Sequence, residues 1–479
     1  MPSLTVDAAA LALGILVTTS MYLSRKKGPY ANLPLPPGPK RKPVIGNLLD
    51  MPKDHEWLVY EKWGKEYNSD ILHVDVFGTH IVIVNSAKIA NELFEKRSSL
   101  YSDRPILRAL TSILKLEWVL GFVPYGQKWR DVRKAFHAHF HPTATLQYHG
   151  NEIKATHRLL RGLLEQPDDF MDHLRGMAGE IILSIAYGID VQPRHDPYVD
   201  TAEKTLQSIA LGATVGGIFD LLPALVNAPE WFPGASFKKE AKKWIPYNIG
   251  MVEDPYRYTK KAVAEGTAPP SVASLQIAQL EPSSDEYMAK HLPANMYLAG
   301  ADTTVSALGT FFLAMCLFPE AQRKAQAEID AVIGTDRLPE FGDEASLPYV
   351  DALVKEVLRW RQVVPLAIPH KVVADDVYEG YWIPAGSIVI GNSWAILHDE
   401  SVFPEPDKFK PEHFLDPSVK YPEAAFGFGR RICPGRFMAR ASVWIAIASM
   451  LATFDISKAL DENGNEIDPV DDYTSGIVS

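Results

Sequence analysis

One cysteine lies in a stretch of glycine and arginine near the C-terminal end of the chain. Residues 426–435 read Phe-Gly-Phe-Gly-Arg-Arg-Ile-Cys-Pro-Gly, and Cys433 has no neighbouring cysteine with which to form a zinc or redox pair. The glycines allow sharp bends and let the backbone approach a flat ligand closely. Cations such as Arg430 and Arg431, with backbone N–H donors, lower the pKa of a thiol. We therefore expect Cys433 to be a thiolate at neutral pH that ligates iron.

This stretch resembles the haem-binding loop of the cytochrome P-450 monooxygenases, whose pattern is FxxGxRxCxG. All five fixed positions match, at Phe426, Gly429, Arg431, Cys433 and Gly435. The resemblance implies that these residues bind haem b and that Cys433 is the axial ligand of its iron. The alternative is a buried free cysteine beside a glycine turn, and Cys316 in its apolar run fits that alternative.

A second candidate site is the polar interruption of the apolar stretch 296–318. Residues 299–304 read Ala-Gly-Ala-Asp-Thr-Thr, and burying such polar groups without partners is costly. Threonine hydroxyls can bond to the carbonyl four residues earlier and loosen a helix, and we expect Gly300 to assist. The segment matches the oxygen-activation motif of the P-450 family. The resemblance implies that Thr303 hydrogen-bonds dioxygen or its water and that Asp302 relays protons; the alternative is a buried capping cluster.

A third motif is an ExxR pair between these two sites. Glu356 and Arg359 are three residues apart on one predicted helix face, which suits an ion pair. In the P-450 family this pair locks the structure beneath the haem together with an arginine in a Pro-Glu-Arg-Phe segment. Here the third position is His413, so we expect the lock to be weaker or pH-sensitive.

Two more segments resemble haem-propionate contacts of the family. Trp129 and Arg133 are four apart on a predicted helix face and match the family's WxxxR pair; an indole N–H and a guanidinium both suit a carboxylate. The alternative is an amphipathic helix with a solvated arginine. His370 ends a segment whose last basic residue meets a propionate in the family, and we expect Val364, Leu366 and Ile368 to face substrate. Residues 101–125 also line the substrate pocket in the family.

Three histidines, His137, His139 and His141, look like a metal cluster. Alternate spacing places them on one face only in a strand, whereas this segment continues a predicted helix up to Pro142. We expect solvated or capping histidines rather than a zinc site.

The composition limits the possible partners and compartments. The chain has 479 residues with a formal net charge of −11, which argues against nucleic acid as a general partner. It has two cysteines and no Asn-x-Ser/Thr sequence, so nothing indicates a lumenal or secreted body.

The N-terminal region predicts a membrane anchor. Residues 4–23 carry one charge, Asp7, and twenty helical residues span about 30 Å, the thickness of a bilayer's hydrocarbon core. Three basic residues at 25–27 follow the apolar run and should remain cytosolic. We expect residues 1–27 to be a single-pass anchor in the endoplasmic reticulum membrane, in contact with lipid, with the catalytic domain in the cytosol. Residues 28–40, rich in proline, are predicted to be a stiff connector.

The remaining pattern is mainly helical. Two strands around a glycine turn are predicted over 71–84, and residues 150–290 are mostly helical with Pro-rich interruptions. The resemblance implies the cytochrome P-450 fold, mainly α with small β-sheets, as a single haem domain over 41–479. Family members usually continue through a last hairpin after the residues that resemble 472–475, so we expect either a truncated C-terminal end or a pocket open on that side.

We therefore expect a monooxygenase most like the fungal microsomal members of the family. It would insert one atom of dioxygen into a small apolar metabolite, such as a terpenoid, polyketide or aromatic compound of secondary metabolism. Electrons would come from an NADPH-cytochrome P-450 reductase. The basic residues predicted to form its docking face are Lys128, Arg130, Lys134, Arg430, Arg436 and Arg440.

Three other functions stay open. A haem-thiolate isomerase or dehydratase and an inactive haem-binding paralogue would keep the cysteine loop, but neither needs the Asp302–Thr303 pair. A serine hydrolase is suggested by Gly391-Asn-Ser-Trp-Ala395, although its Ala395 breaks the GxSxG pattern.

Overall fold

The computed structural model describes residues 30, 32–192, 194–232, 234–281 and 284–474. The predicted membrane anchor, residues 1–27, lies outside the described residues. The helices within these ranges are α1 (Glu56–Tyr67), α2 (Ala87–Ala90), α3 (Ser98–Tyr101), α4 (Gln127–Phe140), α5 (Pro142–Thr145), α6 (His149–Glu165), α7 (Phe170–Tyr187), α8 (Pro197–Val215), α9 (Gly217–Leu221), α10 (Phe237–Ala264), α11 (Val272–Ala278), α12 (Tyr287–Leu317), α13 (Pro319–Val332), α14 (Pro348–Trp360), α15 (Ser393–Leu397) and α16 (Arg436–Leu451).

Six short strands form two small sheets. They are β1 (Ile71–Val76), β2 (Thr79–Val84), β3 (His370–Lys371), β4 (Asp376–Tyr378), β5 (Tyr381–Ile383) and β6 (Ile388–Gly391). The larger sheet has the order β1-β2-β6-β3, and the smaller pairs β4 with β5. The predicted hairpin over 71–84 is confirmed: β1 and β2 are antiparallel, and Phe77 and Gly78 turn the chain with positive φ angles. The fold is mainly helical with small sheets, as predicted.

The central element is α12, which is apolar on nearly all sides and packs against α7, α8, α10, α11, α14 and α16. It begins at Tyr287, before the apolar stretch 296–318, and Pro293 lies inside its second turn. The helix continues through Gly300, so the predicted loosening there is not seen. A Cβ at Gly300 would lie 2.9 Å from Ile182 Cγ1, and the glycine therefore permits close contact with α7. Among the described helices, α12 alone is long and apolar enough to cross a membrane, although a buried core helix meets the same criteria.

The described part of the Pro-rich segment, residues 32–40, is attached to the body. The Pro34 carbonyl accepts from the Trp382 N–H, and the Pro37 carbonyl accepts from the His73 N–H at 2.8 Å. A Cβ at Gly38 would lie 2.2 Å from the His73 carbonyl oxygen, so this approach requires glycine. The segment thus connects both sheets of the body.

Candidate active site

The Cys433 loop is shaped by its glycines and by a backbone hydrogen bond. The Cys433 N–H donates to the Phe426 carbonyl at 2.8 Å. Gly429 has a φ of 58°, and a Cβ there would lie 2.1 Å from the Phe94 carbonyl oxygen, so only glycine fits. Gly435 lies in a turn, as predicted, but its φ of −90° is one that any residue adopts. Its N–H hydrogen-bonds to the Cys433 sulfur, at the start of α16.

The charges that act on Cys433 differ from those predicted. Burial raises the pKa of the Cys433 thiol and outweighs the N–H of Gly435 and the charges of Arg133 and Arg436, which all lower it. The two cations that act on the sulfur are thus not the predicted Arg430 and Arg431. Arg430 is exposed and donates to the Tyr125 hydroxyl at 2.7 Å. A bound metal cation would deprotonate this thiol.

Arg431 belongs to a buried basic cluster, which we define as Arg104, His370 and Arg431. Arg431 Nε donates to the Ser102 carbonyl at 2.7 Å, and the guanidinium lies over the Trp129 ring, 4.4 Å from its centroid. Its two terminal nitrogens are buried, and neither has a hydrogen-bond partner in the described part of the chain. Two donors of a charged group without acceptors are costly unless a ligand satisfies them.

The other two members of the basic cluster are held by backbone carbonyls. Arg104 is 4% exposed and donates to the carbonyls of Gly121, Ile368 and Pro369. His370 Nδ1 lies 2.7 Å from the Tyr101 carbonyl, so Nδ1 carries the hydrogen and Nε2 points elsewhere. Burial, then the charge of Arg104, holds the pKa of His370 well below its ordinary value. The charge of Asp103 acts on both Arg104 and Arg431, but in the described part of the chain neither arginine donates a hydrogen bond to a carboxylate.

The polar segment of α12 keeps accessible surface in the middle of a buried helix. Ala299, Asp302, Thr303 and Ser306 are all incompletely buried and lie on one face, at positions i, i+3, i+4 and i+7. The Thr303 hydroxyl donates to the Ala299 carbonyl at 2.7 Å, which confirms the predicted bond to the preceding turn. Burial raises the pKa of Asp302, so its carboxyl holds a proton more readily than an exposed one.

The ExxR pair forms a buried structural lock, which we define as Glu356, Arg359 and His413. Both members of the predicted ion pair are fully buried, and two hydrogen bonds of 2.8 Å join them. His413 Nδ1 lies 3.3 and 3.4 Å from the two Glu356 oxygens, and its Nε2 lies 2.9 Å from the Pro404 carbonyl. The histidine thus stands where the resemblance places an arginine and contacts Glu356 of the pair.

Two rival sites are not supported by the geometry. His141 accepts from the Ala144 N–H and caps α5, as predicted, and the described residues contain no group of histidine, cysteine and carboxylate side chains that could hold a metal. Ser393 does follow a strand and begin a helix, but it is fully buried and donates its hydroxyl to the Ala424 carbonyl. It cannot act as an exposed nucleophile.

Comparison with known proteins decides the family. The Cytochrome P450 family model matches residues 36–470. The chain belongs to the cytochrome P450 family. It is 43% identical to the cytochrome P450 monooxygenase ple1 of Rhodocybe pseudopiperita, over 93% of this chain and 87% of the relative. It is 40% identical to a cytochrome P450 monooxygenase of Armillaria gallica, over 99% and 95%, and 40% identical to the tryptamine 4-monooxygenase of Psilocybe cyanescens, over 92% and 90%.

This P450 is therefore an oxidoreductase of the monooxygenase class that uses haem b. The residues present fit that group. The orphaned donors of Arg431 and the excess positive charge of the basic cluster suit the two carboxylates of a haem, and Cys433 supplies the thiolate ligand. Trp129 stacks on Arg431, whereas Arg133 lies nearer Cys433, so the two residues of the WxxxR pair reach different parts of the site.

Arg104 was missed by our sequence analysis. It lies in the stretch 101–125, which has no helical or strand period, and no motif marks it. The same stretch contains Arg108 and Lys115, so no signal in the sequence distinguishes Arg104 from the other basic residues there.

Proposed function

We propose that this P450 inserts one oxygen atom from dioxygen into a small apolar metabolite of fungal secondary metabolism, of a terpenoid, polyketide or aromatic class. One relative, named a tryptamine 4-monooxygenase, acts on an aromatic compound. The observation that carries the proposal is the apolar character of three segments, of which the first contacts the third and also reaches α12 one turn before the polar stripe.

Those three segments are 116–122, the middle of α12 and 364–368. The Asn295 side chain accepts from the Leu120 N–H at 2.6 Å and donates to the Trp118 carbonyl at 3.1 Å. A Cβ at Gly121 would lie 3.0 Å from Ile368 Cδ1, so the first and third segments also touch. The amide of Asn295 is occupied by the backbone, and Asp302 is the one charged side chain among the four residues of the stripe. Such a lining favours an apolar substrate.

We assign a separate role in the reaction to each group of side chains at the site. When haem is bound, Cys433 would hold its iron, and the basic cluster would pair with its propionates. The haem, when bound, supplies the activation of dioxygen. Thr303 donates its hydroxyl hydrogen to Ala299, so its oxygen can accept a hydrogen bond from a proton donor on the same helix face. Asp302 holds the proton that this donor needs, since burial raises its pKa.

The chemical proposal is tested with the full chain and an NADPH-dependent diflavin reductase. We expect the reduced carbon-monoxide spectrum of a thiolate-ligated haem, and ¹⁸O from ¹⁸O₂ in the product of a terpenoid and aromatic substrate panel. Cys433→Ser should lose both, while Cys316→Ser, the other cysteine, should keep both. A product without ¹⁸O would favour the isomerase or dehydratase alternative, and NADPH consumption without product would favour the inactive paralogue.

The roles of the α12 residues need a separate test. Asp302→Asn should lower product formed per NADPH by about a hundredfold, the lower end of what a positioned proton-transfer group contributes, without changing the haem spectrum. An equal amount of product per NADPH in Asp302→Asn and in the wild type would contradict the relay role of Asp302.

P450 monooxygenases need a redox partner, and we propose an NADPH-cytochrome P450 reductase that docks near the Cys433 loop. Arg130 and Arg430 are exposed, and both guanidinium groups lie over the Tyr125 ring, 5.6 and 5.7 Å from its centroid. Arg440, predicted to join this face, is paired with Glu344 and Asp351 at 2.7 and 2.9 Å and is a poor docking residue.

Charge reversal tests this docking face. The double variant Arg130→Glu, Arg430→Glu should slow reduction by the reductase at low salt and much less at high salt, because exposed charges are screened. Lys261→Glu on α10 is the matched control. Equal rates would exclude docking at this face. The proposal includes placement at the endoplasmic reticulum membrane through residues 1–27, which the loss of membrane association on deleting them would support.

A further inference from the structure

One buried asparagine on α12 holds the backbone of a neighbouring loop, residues 118–121. Asn295 is 5% exposed, and its side chain makes hydrogen bonds to this loop in both directions. Its Oδ1 accepts from the Leu120 N–H at 2.6 Å, and its Nδ2 donates to the Trp118 carbonyl at 3.1 Å. The same Nδ2 donates to the His291 carbonyl of its own helix at 2.8 Å. Asn295 lies outside every motif that indicated the family.

The loop 118–121 depends on such a partner because it belongs to neither a helix nor a strand. Its side chains at Trp118, Val119 and Leu120 are all less than 10% exposed. Buried backbone N–H and C=O groups must find hydrogen-bond partners, and here a side chain supplies two of them. An amide can do this because it has both a donor and an acceptor, whereas an aliphatic side chain of the same size has neither.

The end of the loop is held from the opposite side. Arg104 Nε donates to the Gly121 carbonyl at 3.0 Å, and its Nη1 donates to the Ile368 carbonyl at 2.6 Å. A Cβ at Gly121 would lie 3.0 Å from Ile368 Cδ1, so the loop also contacts the segment 364–368 directly. The loop is therefore fixed between that segment and α12, and Asn295 supplies hydrogen bonds on the α12 side.

Asn295 shares a helix face with the polar stripe of α12. It precedes Ala299 by four residues and Asp302 by seven, and residues with this spacing lie on one face. At a rise of 1.5 Å per residue, Asn295 lies about 6 Å along the helix axis from Ala299. The loop is thus attached to α12 one turn from the candidate oxygen site.

We propose that Asn295 is a positioning residue for the substrate: it fixes the loop 118–121 beside the polar stripe, and the fixed loop determines which carbon of the substrate faces the oxygen site. The inference rests on the proposed function. A small apolar substrate over the stripe would contact this loop. Because a misplacement of about 1 Å changes the rate at a given atom by about a hundredfold, a loop that is free to move would allow other carbons to react.

Asn295→Leu tests the role, since it keeps the size of the side chain and removes both hydrogen bonds to the loop. Hydrogen–deuterium exchange of the haem-loaded protein should show the Leu120 amide exchanging about tenfold faster, as the loss of one hydrogen bond implies. For each substrate of the panel that gives product, the ratio of its products should change by about tenfold. The reduced carbon-monoxide spectrum should remain that of a thiolate-ligated haem.

A readout without turnover uses two nitrogen ligands of the haem iron. 4-Phenylimidazole extends a ring into the substrate side and should bind about tenfold more weakly in Asn295→Leu, because a loop that has become mobile must be ordered on binding. Imidazole is too small to reach the loop and should bind equally to both proteins. The shift of the haem absorption band on titration measures both affinities.

Asn47 offers a matched control in another part of the molecule. It is fully buried, and its side chain likewise accepts from a backbone N–H, that of Asp75 at 3.0 Å, and donates to a backbone carbonyl, that of Pro39 at 2.9 Å. Asn47→Leu should destabilise the fold as much as Asn295→Leu but leave the product ratio and the 4-phenylimidazole affinity unchanged. Equal changes in both variants would reflect a general loss of packing and would overturn the inference.

Asn295→Ala covers the case in which Asn295→Leu does not fold. Alanine favours the helix and leaves room for water to bond the loop, so the loop keeps hydrogen-bond partners but is no longer attached to α12. The same changes are expected. Faster exchange at Leu120 with an unchanged product ratio and unchanged azole binding would overturn the inference, and so would unchanged exchange. If the wild type forms no ¹⁸O-labelled product, the proposed function fails, whereas the exchange and azole measurements still decide whether Asn295 fixes the loop.

Discussion

The structural lock and the basic cluster are both buried groups of charged side chains, yet they are completed in different ways. In the lock, Arg359 donates to both Glu356 oxygens and to the carbonyls of Leu397, Pro406 and Lys408. Glu356 also accepts from the Lys410 N–H at 2.7 Å. In the basic cluster, Arg431 has one backbone partner and two orphaned terminal nitrogens.

The difference separates a structural element from a binding site. A buried charge must be paired and hydrogen-bonded, because leaving it unpaired costs several kcal/mol. Where the chain supplies the partner, the group fixes the fold. Where the chain supplies no partner of opposite charge, a ligand supplies it, here the carboxylates of haem. Mutation of the structural lock should therefore lower the stability of the fold, whereas mutation of the basic cluster should weaken haem retention.

The largest effect is expected in the lock. Glu356→Gln keeps the shape of the side chain but leaves the Arg359 charge buried and unpaired, so the free energy of unfolding should fall by about 3–5 kcal/mol. Chemical denaturation followed by circular dichroism measures it. Glu240→Gln removes an exposed partner of Lys243 on α10 and should cost less than about 1 kcal/mol. A similar small loss in both variants would mean that the lock does not hold the fold.

Arg431→Met should act on haem retention rather than on folding. Losing one partner of a buried charge pair costs about 3 kcal/mol, which is more than hundredfold in haem dissociation. The haem-depleted protein, by contrast, should be as stable as wild type or more stable, since an uncompensated buried cation has been removed. Haem transfer to a scavenger protein and denaturation of the depleted form measure the two quantities. Arg430→Met, an exposed neighbour, should change neither, and a destabilised depleted form would contradict the comparison.

The two groups also differ in how far the sequence predicted them. Glu356 and Arg359 are three residues apart on one helix, so their contact follows from helix geometry alone. The same holds for the bond from Thr303 to Ala299. His413 was predicted from its place in a motif, and the geometry brings it to Glu356. Local spacing therefore sufficed for most of the lock.

The basic cluster depends on contacts between distant segments. Arg104 and Arg431 lie in separate parts of the chain, and packing rather than spacing decides that they meet. Packing also places Arg133 near Cys433. It pairs Arg440 with Glu344, although Arg440 was predicted to belong to the docking face. Motifs gave the residue types of the site, but they did not give the direction of side chains at long-range contacts.

A third buried titratable group differs from both, because it has neither an internal ion pair nor a ligand. Glu152 on α6 is 1% exposed, accepts from the Ser442 hydroxyl at 2.7 Å, and has a second oxygen without a partner in the described residues. Burial raises the pKa of Glu152 to about 7. Such a carboxyl is held as the neutral acid, which is the third way to bury a titratable group.

Glu152→Gln should therefore change the pH dependence of stability. Between about pH 4.5 and 7 the native protein holds a proton on Glu152 that the unfolded chain has released, so wild-type stability falls as pH rises, by up to about 3 kcal/mol. The variant lacks this loss: it should match wild type near pH 5 and exceed it near pH 8. Urea denaturation at both pH values measures this. A constant difference between the two proteins would contradict burial as the neutral acid.

The smallest effect is expected for His413, the third member of the structural lock. His413 contributes a contact to Glu356 and another to the Pro404 carbonyl, while Arg359 and the Lys410 N–H already satisfy the Glu356 oxygens. His413→Phe keeps a ring against Phe403 but removes both contacts, and it should cost about 1–2 kcal/mol. His413→Arg, which restores the residue of the family pattern, should recover that loss. If His413→Phe were neutral, Glu356 and Arg359 would form the lock without a third member, and histidine would be tolerated here because nothing depends on it.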